Sequence, residues 1–143
     1  MSGNSARQFI DTNILVYAHD TSAGTKHALA RNLVEELWAS RNGCLSIQVL
    51  QEFYVTVTRK VTRPLPIAEA ARIVADLSVW KVHAPQTEDV LGAIEIQQRY
   101  GIAFWDAMVV RSALRLGCQT LWSEDLNPSQ AYEGVTVVNP FAC

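Results

Sequence analysis

The chain has 143 residues, of which 49% are hydrophobic and 18% are charged, with a formal net charge of −2. This size and composition fit one domain over residues 1–143 with a real hydrophobic core, and no second domain is needed. No apolar run approaches the length of a membrane span, and the polar start, Met1–Ser5, lacks the apolar stretch of a signal peptide, which predicts a cytoplasmic protein.

Hydrophobic periodicity predicts strands and helices that alternate along the chain. Strands are expected near Arg7–Asp11, Cys44–Ser46, Lys81–His83, Thr120–Trp122 and Val135–Val138. Helices are expected near Lys26–Ser40, Gln48–Lys60, Ile67–Leu77, Glu88–Tyr100 and Phe104–Leu116. This alternation predicts an α/β fold with a mainly parallel sheet and helices on both faces.

The first strand ends at an acid and two small polar residues, Asp11, Thr12 and Asn13, and a helix is expected to follow over Ile14–Ala18. Ligands of open α/β sheets bind outside the carboxyl ends of the strands, so Asp11 is expected to face a crevice. Asp, Thr and Asn are also common helix caps. This segment alone therefore leaves metal binding and capping both open.

Glu52 lies beside the buried face of its helix, which Val49, Phe53 and Val57 mark by their spacing. A partly desolvated carboxylate there must stay protonated, find a cation or ligate a metal. A solvated glutamate at the edge of the apolar face is the alternative.

Two further acids lie near the ends of later elements. Asp106 opens a helix whose neighbouring residues, 102–110, carry no other charge; a buried acid there implies a nearby positive charge, although simple capping also fits. Glu124 and Asp125 follow a short strand and compete for the fourth position, and either fits a turn acid.

The order of these acids is that of the PIN-domain nucleases, and the chain resembles that family in segments spread nearly from end to end: 10–13, 46–53, 104–107, 123–125 and 138–141. The resemblance implies a PIN-like three-layer α/β/α fold around a sheet of about five strands. It gives the catalytic and metal-binding roles to Asp11, Glu52, Asp106 and Asp125, and site-lining roles to Thr12, Asn13 and Ser123. Many relatives follow the fourth acid with a bulky aromatic residue, whereas Leu126 follows it here.

Within the family, the small single-domain layout looks most like the VapC toxins of toxin–antitoxin pairs. That resemblance implies a ribonuclease that forms a homodimer and is inhibited by a cognate antitoxin. Four hard oxygen ligands select Mg²⁺ or Mn²⁺, and such an ion can activate a water for attack on phosphorus. We therefore expect an Mg²⁺- or Mn²⁺-dependent endoribonuclease that hydrolyses RNA phosphodiester bonds.

Zinc is not expected, because the cysteines and histidines lack the spacing of a metal site. The three cysteines are expected to be reduced thiols, and the histidines are scattered: Cys44, Cys118, Cys143, His19, His27 and His83.

The expected RNA contacts are basic residues at the end of the Glu52 helix, Arg59, Lys60 and Arg63, although ordinary surface charge also explains them. Trp105 and Trp122 neighbour the site acids; core packing is the expected role, and stacking on bases is the alternative. The apolar residues that an antitoxin or a second subunit is expected to cover, unless core packing uses them, are Leu29, Leu33, Leu37, Trp38, Leu50, Tyr54 and Val61.

Three other functions stay open. A phosphatase of the haloacid-dehalogenase type needs a second aspartate two residues after the first, and Asn13 occupies that position. A non-catalytic PIN-like binding module leaves the repulsion among four acids unexplained. A PIN nuclease of RNA processing is the main alternative to a toxin.

Overall fold

The computed structural model describes residues 6–127 and 130–142, and its six strands form one sheet. Their order across the sheet is β3–β2–β1–β4–β6–β5, and every neighbouring pair is parallel except β5 and β6. The strands are β1 (Gln8–Ile10), β2 (Gly43–Ser46), β3 (Lys81–His83), β4 (Thr120–Trp122), β5 (Ala131–Tyr132) and β6 (Val135–Val138). The α/β fold with a mainly parallel central sheet is thus confirmed.

Six α-helices connect the strands, with one turn of 3₁₀ helix at Thr21–Ala23. They are α1 (Thr12–His19), α2 (Thr25–Ser40), α3 (Ile47–Arg59), α4 (Ile67–Leu77), α5 (Thr87–Tyr100) and α6 (Phe104–Arg115). The predicted bounds agree to within a residue or two. The first strand ends at Ile10 and not at Asp11, because the Asp11 carboxylate accepts from the Thr12 N–H and caps α1.

The strand β5 was not expected, which raises the count from about five strands to six. It has only two residues and pairs with β6 through a tight turn in which Glu133 has φ of 54° and Gly134 has φ of 95°. Two successive positive φ angles are typical of the turn that matches the twist of a hairpin. A two-residue strand shows no alternation of apolar and polar positions for sequence analysis to detect.

The sheet reverses its strand order at β1, which pairs with β2 on one side and with β4 on the other. Strands β2 and β3 extend the sheet on one side of β1, and β4, β6 and β5 extend it on the other, so a crevice opens at the carboxyl end of β1. Asp11 follows β1 directly, and Ser123 follows β4. The topology thus brings residues more than a hundred positions apart in sequence to one edge.

The central strands are covered on both faces, so their sequences are short apolar runs with no alternation of apolar and polar residues. Phe9, Ile10, Leu45 and Leu121 are fully buried and form one core with the inner faces of the helices. Among the described residues, no helix is both long and apolar enough to span a bilayer.

A buried acid ties the edge strand β3 to the helices behind it. Asp89 is fully buried and accepts from the Gln86 N–H at 2.8 Å and from Arg111 Nε at 2.9 Å, while His83 Nε2 lies 3.2 Å from its carboxylate. Arg115 Nε lies 3.5 Å away. Four donors around one carboxylate offset the cost of burying its charge.

Candidate active site

A cavity of about 300 Å³ opens at the carboxyl ends of β1 and β4, and all four predicted acids line it. Three helices, α1, α3 and α6, contribute its walls. The lining residues are Asp11, Thr12, Asn13, Gln48, Glu52, Thr56, Lys60, Trp105, Asp106, Val109 and Asp125. Acids that lie far apart in the sequence therefore line one cavity.

Asp11 is the deepest of the four acids, with only 6% of its surface exposed. Its Oδ1 accepts from the Thr12 N–H at 2.7 Å, and its Oδ2 accepts from Ser123 Oγ at 2.8 Å. Burial raises the pKa of Asp11 from 3.8 to about 6, and the charges of Asp125 and Asp106 add to the rise, although the two hydrogen bonds oppose it. Asp11 thus caps its helix and faces the cavity, so the two readings of this residue do not exclude each other.

The small polar residues each hold a different acid. Ser123 donates a hydrogen bond to Asp11 and is itself fully buried, so it fixes Asp11 without lining the cavity. Thr12 Oγ1 donates to Glu52 Oε1 at 2.7 Å, and Asn13 Nδ2 donates to Asp125 Oδ2 at 2.8 Å. The first turn of α1 therefore fixes acids that come from α3 and from the segment after β4.

Glu52 is exposed at the mouth of the cavity, so the alternative of a solvated glutamate at the edge of the apolar face fits, and the predicted partial desolvation does not. Gln48, one helical turn earlier, donates its Nε2 weakly to Glu52 Oε2 at 3.4 Å and to the Trp105 carbonyl at 3.3 Å. Within the described part of the chain, the Gln48 Oε1 atom is buried and accepts no hydrogen bond. Sequence analysis missed Gln48, although its i−4 spacing from Glu52 places it on the same helical face.

Asp106 is half-buried in the first turn of α6. Burial raises the pKa of its carboxyl group, and the charges of Asp125 and Glu52 raise it further. Asp106 takes part in no ion pair among residues 6–127 and 130–142, although Lys60 lines the same cavity.

Of the two acids after β4, Asp125 lines the cavity and Glu124 does not. Glu124 forms an ion pair with Lys26 and accepts from the Tyr17 hydroxyl at 2.8 Å. Burial raises the pKa of Glu124, but the hydrogen bonds from Lys26 and Tyr17 outweigh it and hold the pKa below its ordinary value. Asp125 is therefore the acid of this pair that joins the cavity, while Glu124 anchors the segment that carries it.

The donor set suits a hard divalent cation, since every candidate ligand is a carboxylate oxygen and repulsion among them stays unrelieved. The carboxylates surround the cavity without closing on one point, and among the described residues no three Asp, Glu, His or Cys side chains form a ready ligand cage. Mg²⁺ needs no such cage, because it keeps several waters and binds proteins through one or two carboxylates.

Of the three basic residues expected to contact RNA, only Lys60 lines the cavity; Arg59 and Arg63 are exposed outside it. Trp105 also lines the cavity with 62% of its surface exposed, so the expectation of core packing is wrong for this residue. Trp122 does pack against the core, and its Nε1 donates to Gln8 Oε1 at 2.7 Å.

The apolar residues expected to meet a partner divide between core and surface. Leu33, Leu37 and Leu50 are buried, whereas 42% of Leu29 and 40% of Trp38 are exposed. An apolar groove of about 430 Å³ lies between α3 and α4, and its lining residues are Ile47, Leu50, Gln51, Tyr54, Ala71 and Val74. This groove is separate from the acidic cavity.

Comparison with solved structures finds similar folds in toxin–antitoxin proteins. VapC20 of Mycobacterium tuberculosis, described as a sarcin–ricin loop cleaving toxin, shares 22% identity with a TM-score of 0.62, over 82% of this chain and 89% of that one. A toxin–antitoxin complex from Klebsiella pneumoniae shares 18% identity with a TM-score of 0.71, over 95% and 99% of the two chains. DNA-bound VapBC from Salmonella typhimurium shares 16% identity with a TM-score of 0.63, over 92% and 96%.

No curated protein matches the sequence significantly. The family model described as "PIN domain" matches residues 9–134, which span β1 to the turn after β5 and include all four acids of the cavity. The match covers most of the chain and agrees with the order of acids in the sequence and with the folds of the similar structures. The chain therefore belongs to the PIN-domain family.

Proposed function

We propose that this protein is a divalent-metal-dependent endoribonuclease, the cytoplasmic toxin of a VapBC-type toxin–antitoxin pair. The observation that carries the proposal is the cavity at the strand-order reversal, which four carboxylates line and where no described cation pairs with Asp11 or Asp106. A protein that gains nothing from this repulsion would be more stable without it. A bound cation turns that cost into binding energy.

In this proposal, Asp11 and Asp106 hold Mg²⁺ or Mn²⁺ directly, and Glu52 and Asp125 do so directly or through water. The bound ion supplies activation of a water and stabilisation of the charge on the leaving oxygen. Thr12, Asn13 and Ser123 keep the carboxylates in place by the hydrogen bonds that they donate. Lys60 holds a backbone phosphate of the RNA at the mouth of the same cavity.

The partners of this proposal are an antitoxin and a second copy of the chain. The similar structures from Klebsiella pneumoniae and Salmonella typhimurium are toxin–antitoxin assemblies by their descriptions, which supports an antitoxin for this chain. The α3–α4 groove offers an apolar surface for such a partner. A basic side chain of the antitoxin placed in the acidic cavity would inhibit the enzyme by competing with the metal.

The test is cleavage of a mixed pool of structured and single-stranded RNA by purified protein in Mg²⁺, Mn²⁺ or EDTA. We expect cutting in both metals, none in EDTA, and loss of activity in Asp11→Asn and Asp106→Asn. Asp76→Asn is the matched control, because Asp76 is exposed on α4 outside the cavity. Full activity in both site variants, or no cutting by antitoxin-free protein with either metal, would overturn the proposal.

A further inference from the structure

We propose that the Trp105 indole is a stacking platform for one unpaired base of the RNA, beside the phosphate that is cut. The inference rests on the proposed nuclease function and adds the feature by which this site selects its substrate.

The exposure of Trp105 is the first observation. Tryptophan carries a large apolar ring that proteins bury where they can, yet 62% of this residue is exposed. It lies in the wall of the acidic cavity, directly before Asp106 in the first turn of α6. An apolar ring kept in contact with water at the site of chemistry is a ready surface for a flat ligand.

The ring is also held in position before any ligand arrives. The Phe104 ring meets it edge to face, with ring centroids 5.0 Å apart and planes at 74°. The Trp105 carbonyl accepts from Gln48 Nε2 at 3.3 Å, which ties the start of α6 to α3. A preorganised platform loses little conformational freedom when a base stacks on it.

The surroundings favour a nucleobase over a protein segment as the occupant. The cavity wall is mostly polar and includes Lys60, which forms no ion pair among the described residues and is free to meet a phosphate. A stacking aromatic beside a cationic side chain is the usual pairing for single-stranded nucleic acid. The apolar groove suited to a protein lies between α3 and α4 and does not include Trp105.

A stacked base must first be free of its helix, so this platform excludes regular duplex RNA. Bases in A-form RNA are stacked on their neighbours and paired, whereas loops and single strands present bases that side chains can stack against. The scissile phosphate is therefore expected next to an unpaired nucleotide of any identity, since every base has a π face.

The first test compares wild type with Trp105→Ala and Trp105→Phe on one single-stranded oligonucleotide and on the same sequence in a duplex. Losing a base–aromatic stack predicts a fall in kcat/KM of roughly 5- to 100-fold for Trp105→Ala on the single strand, with much of it restored in Trp105→Phe. Val79→Ala, at a 74% exposed apolar residue outside the cavity, is the control and is expected to match wild type.

A second arm identifies the base itself. Abasic nucleotides are placed in turn on either side of the cleavage point. At one position, the abasic nucleotide is expected to slow cleavage by wild type by a similar factor. It is expected to have no further effect on Trp105→Ala, because that variant has already lost the stacking contact. Additive effects at every position would overturn the inference.

A binding measurement keeps this inference separate from the nuclease proposal. In the Asp11→Asn variant, single-stranded RNA is expected to quench tryptophan fluorescence, and Trp105→Phe is expected to remove that quenching. If RNA quenches the fluorescence of Trp105 but wild type shows no metal-dependent cleavage, the nuclease proposal is overturned and the stacking role of Trp105 stands. If Trp105→Ala cleaves every substrate as fast as wild type, only the stacking role is overturned. The same holds if Trp105→Ala alters only the oligomeric state of the protein.

Discussion

At the scale of single residues, the most informative group is the Asp11 carboxyl. Burial, together with two nearby carboxylates, raises its pKa to about 6. An acid whose pKa is higher in the folded than in the unfolded protein keeps its proton more tightly when folded. Its contribution to the free energy of unfolding is therefore fully present below about pH 4 and is lost as the pH rises toward 6.

The first prediction concerns Asp11→Asn in metal-free buffer. At pH 7 we expect the variant to be more stable than wild type by up to about 3 kcal/mol, because it no longer ionises a buried group. The difference should vanish near pH 4, where the wild-type carboxyl is protonated. Urea unfolding at both pH values measures it, and a variant less stable than wild type at pH 7 would contradict the prediction.

Other acids stabilise the fold at neutral pH and not at low pH, so only the difference in the free energy of unfolding between wild type and Asp11→Asn isolates the effect of Asp11. Burial raises the pKa of Asp89, but the Gln86 N–H, Arg111 and His83 together hold it below its ordinary value. The stability that such a group contributes is present near neutral pH and is lost as the pH falls. Its effect is common to wild type and Asp11→Asn and cancels in the comparison.

At the scale of elements, the first turn of α1 and the segment after β4 support each other. Asn13 holds Asp125, and Tyr17, one helical turn later, holds Glu124. Lys26 completes the contact with an ion pair to Glu124 and a position 5.0 Å from the Tyr17 ring centroid. Two successive turns of one helix thus fix two consecutive acids.

The second prediction is that Tyr17→Phe weakens Mg²⁺ binding and lowers activity several-fold, because Asp125 loses part of its anchor. Tyr100→Phe is the matched control: its hydroxyl also donates to a glutamate at 2.8 Å, but to Glu133, outside the cavity. Tyr17→Phe removes one hydrogen bond, and Tyr100→Phe removes two, because the Tyr100 hydroxyl also accepts from the Glu133 N–H at 3.2 Å; each bond is worth about 1 kcal/mol of stability. Mg²⁺ titration should separate the two variants, and equal affinities would contradict the prediction.

The third prediction concerns the buried cluster that joins β3, α5 and α6. Asp89→Asn leaves Arg111 and Arg115 without their counter-charge, and we expect a loss of about 3–5 kcal/mol in the free energy of unfolding. Glu88→Gln is the control, because Glu88 pairs with Arg115 at the surface, where such pairs contribute little. A loss in Asp89→Asn no larger than in the control would contradict this account.

At the scale of the whole molecule, the sequence was most informative where a feature depends only on neighbouring residues. Apolar runs located the five longer strands, and small polar residues after strands located the cavity. The choice between Glu124 and Asp125 was beyond the sequence, because it depends on Lys26 and Tyr17, which approach from other helices. The exposure of Trp105 was likewise hidden, since an aromatic residue in an apolar segment usually packs inside.

The fourth prediction uses the separation of the two cavities. Ala71 is exposed and lines the α3–α4 groove, so Ala71→Glu places a charge on the surface proposed for a partner. We expect at least roughly tenfold weaker inhibition by the antitoxin, a cost of about 1.4 kcal/mol, with RNA cleavage unchanged. Inhibition assays compare it with Ala28→Glu, an exposed site on α2 outside the groove. Equal inhibition of both variants would move the partner to another surface.

The raised pKa of the buried Asp11 has a consequence for metal binding under the proposed function. A ligand carboxyl must lose its proton before it binds a cation, so loading the site near pH 6 exchanges a proton for Mg²⁺. At low pH, protons therefore compete with the metal ion for the Asp11 carboxylate. Under the proposed function, a fall in pH through about 6 would lower the metal affinity, and with it the activity, without any change in the fold.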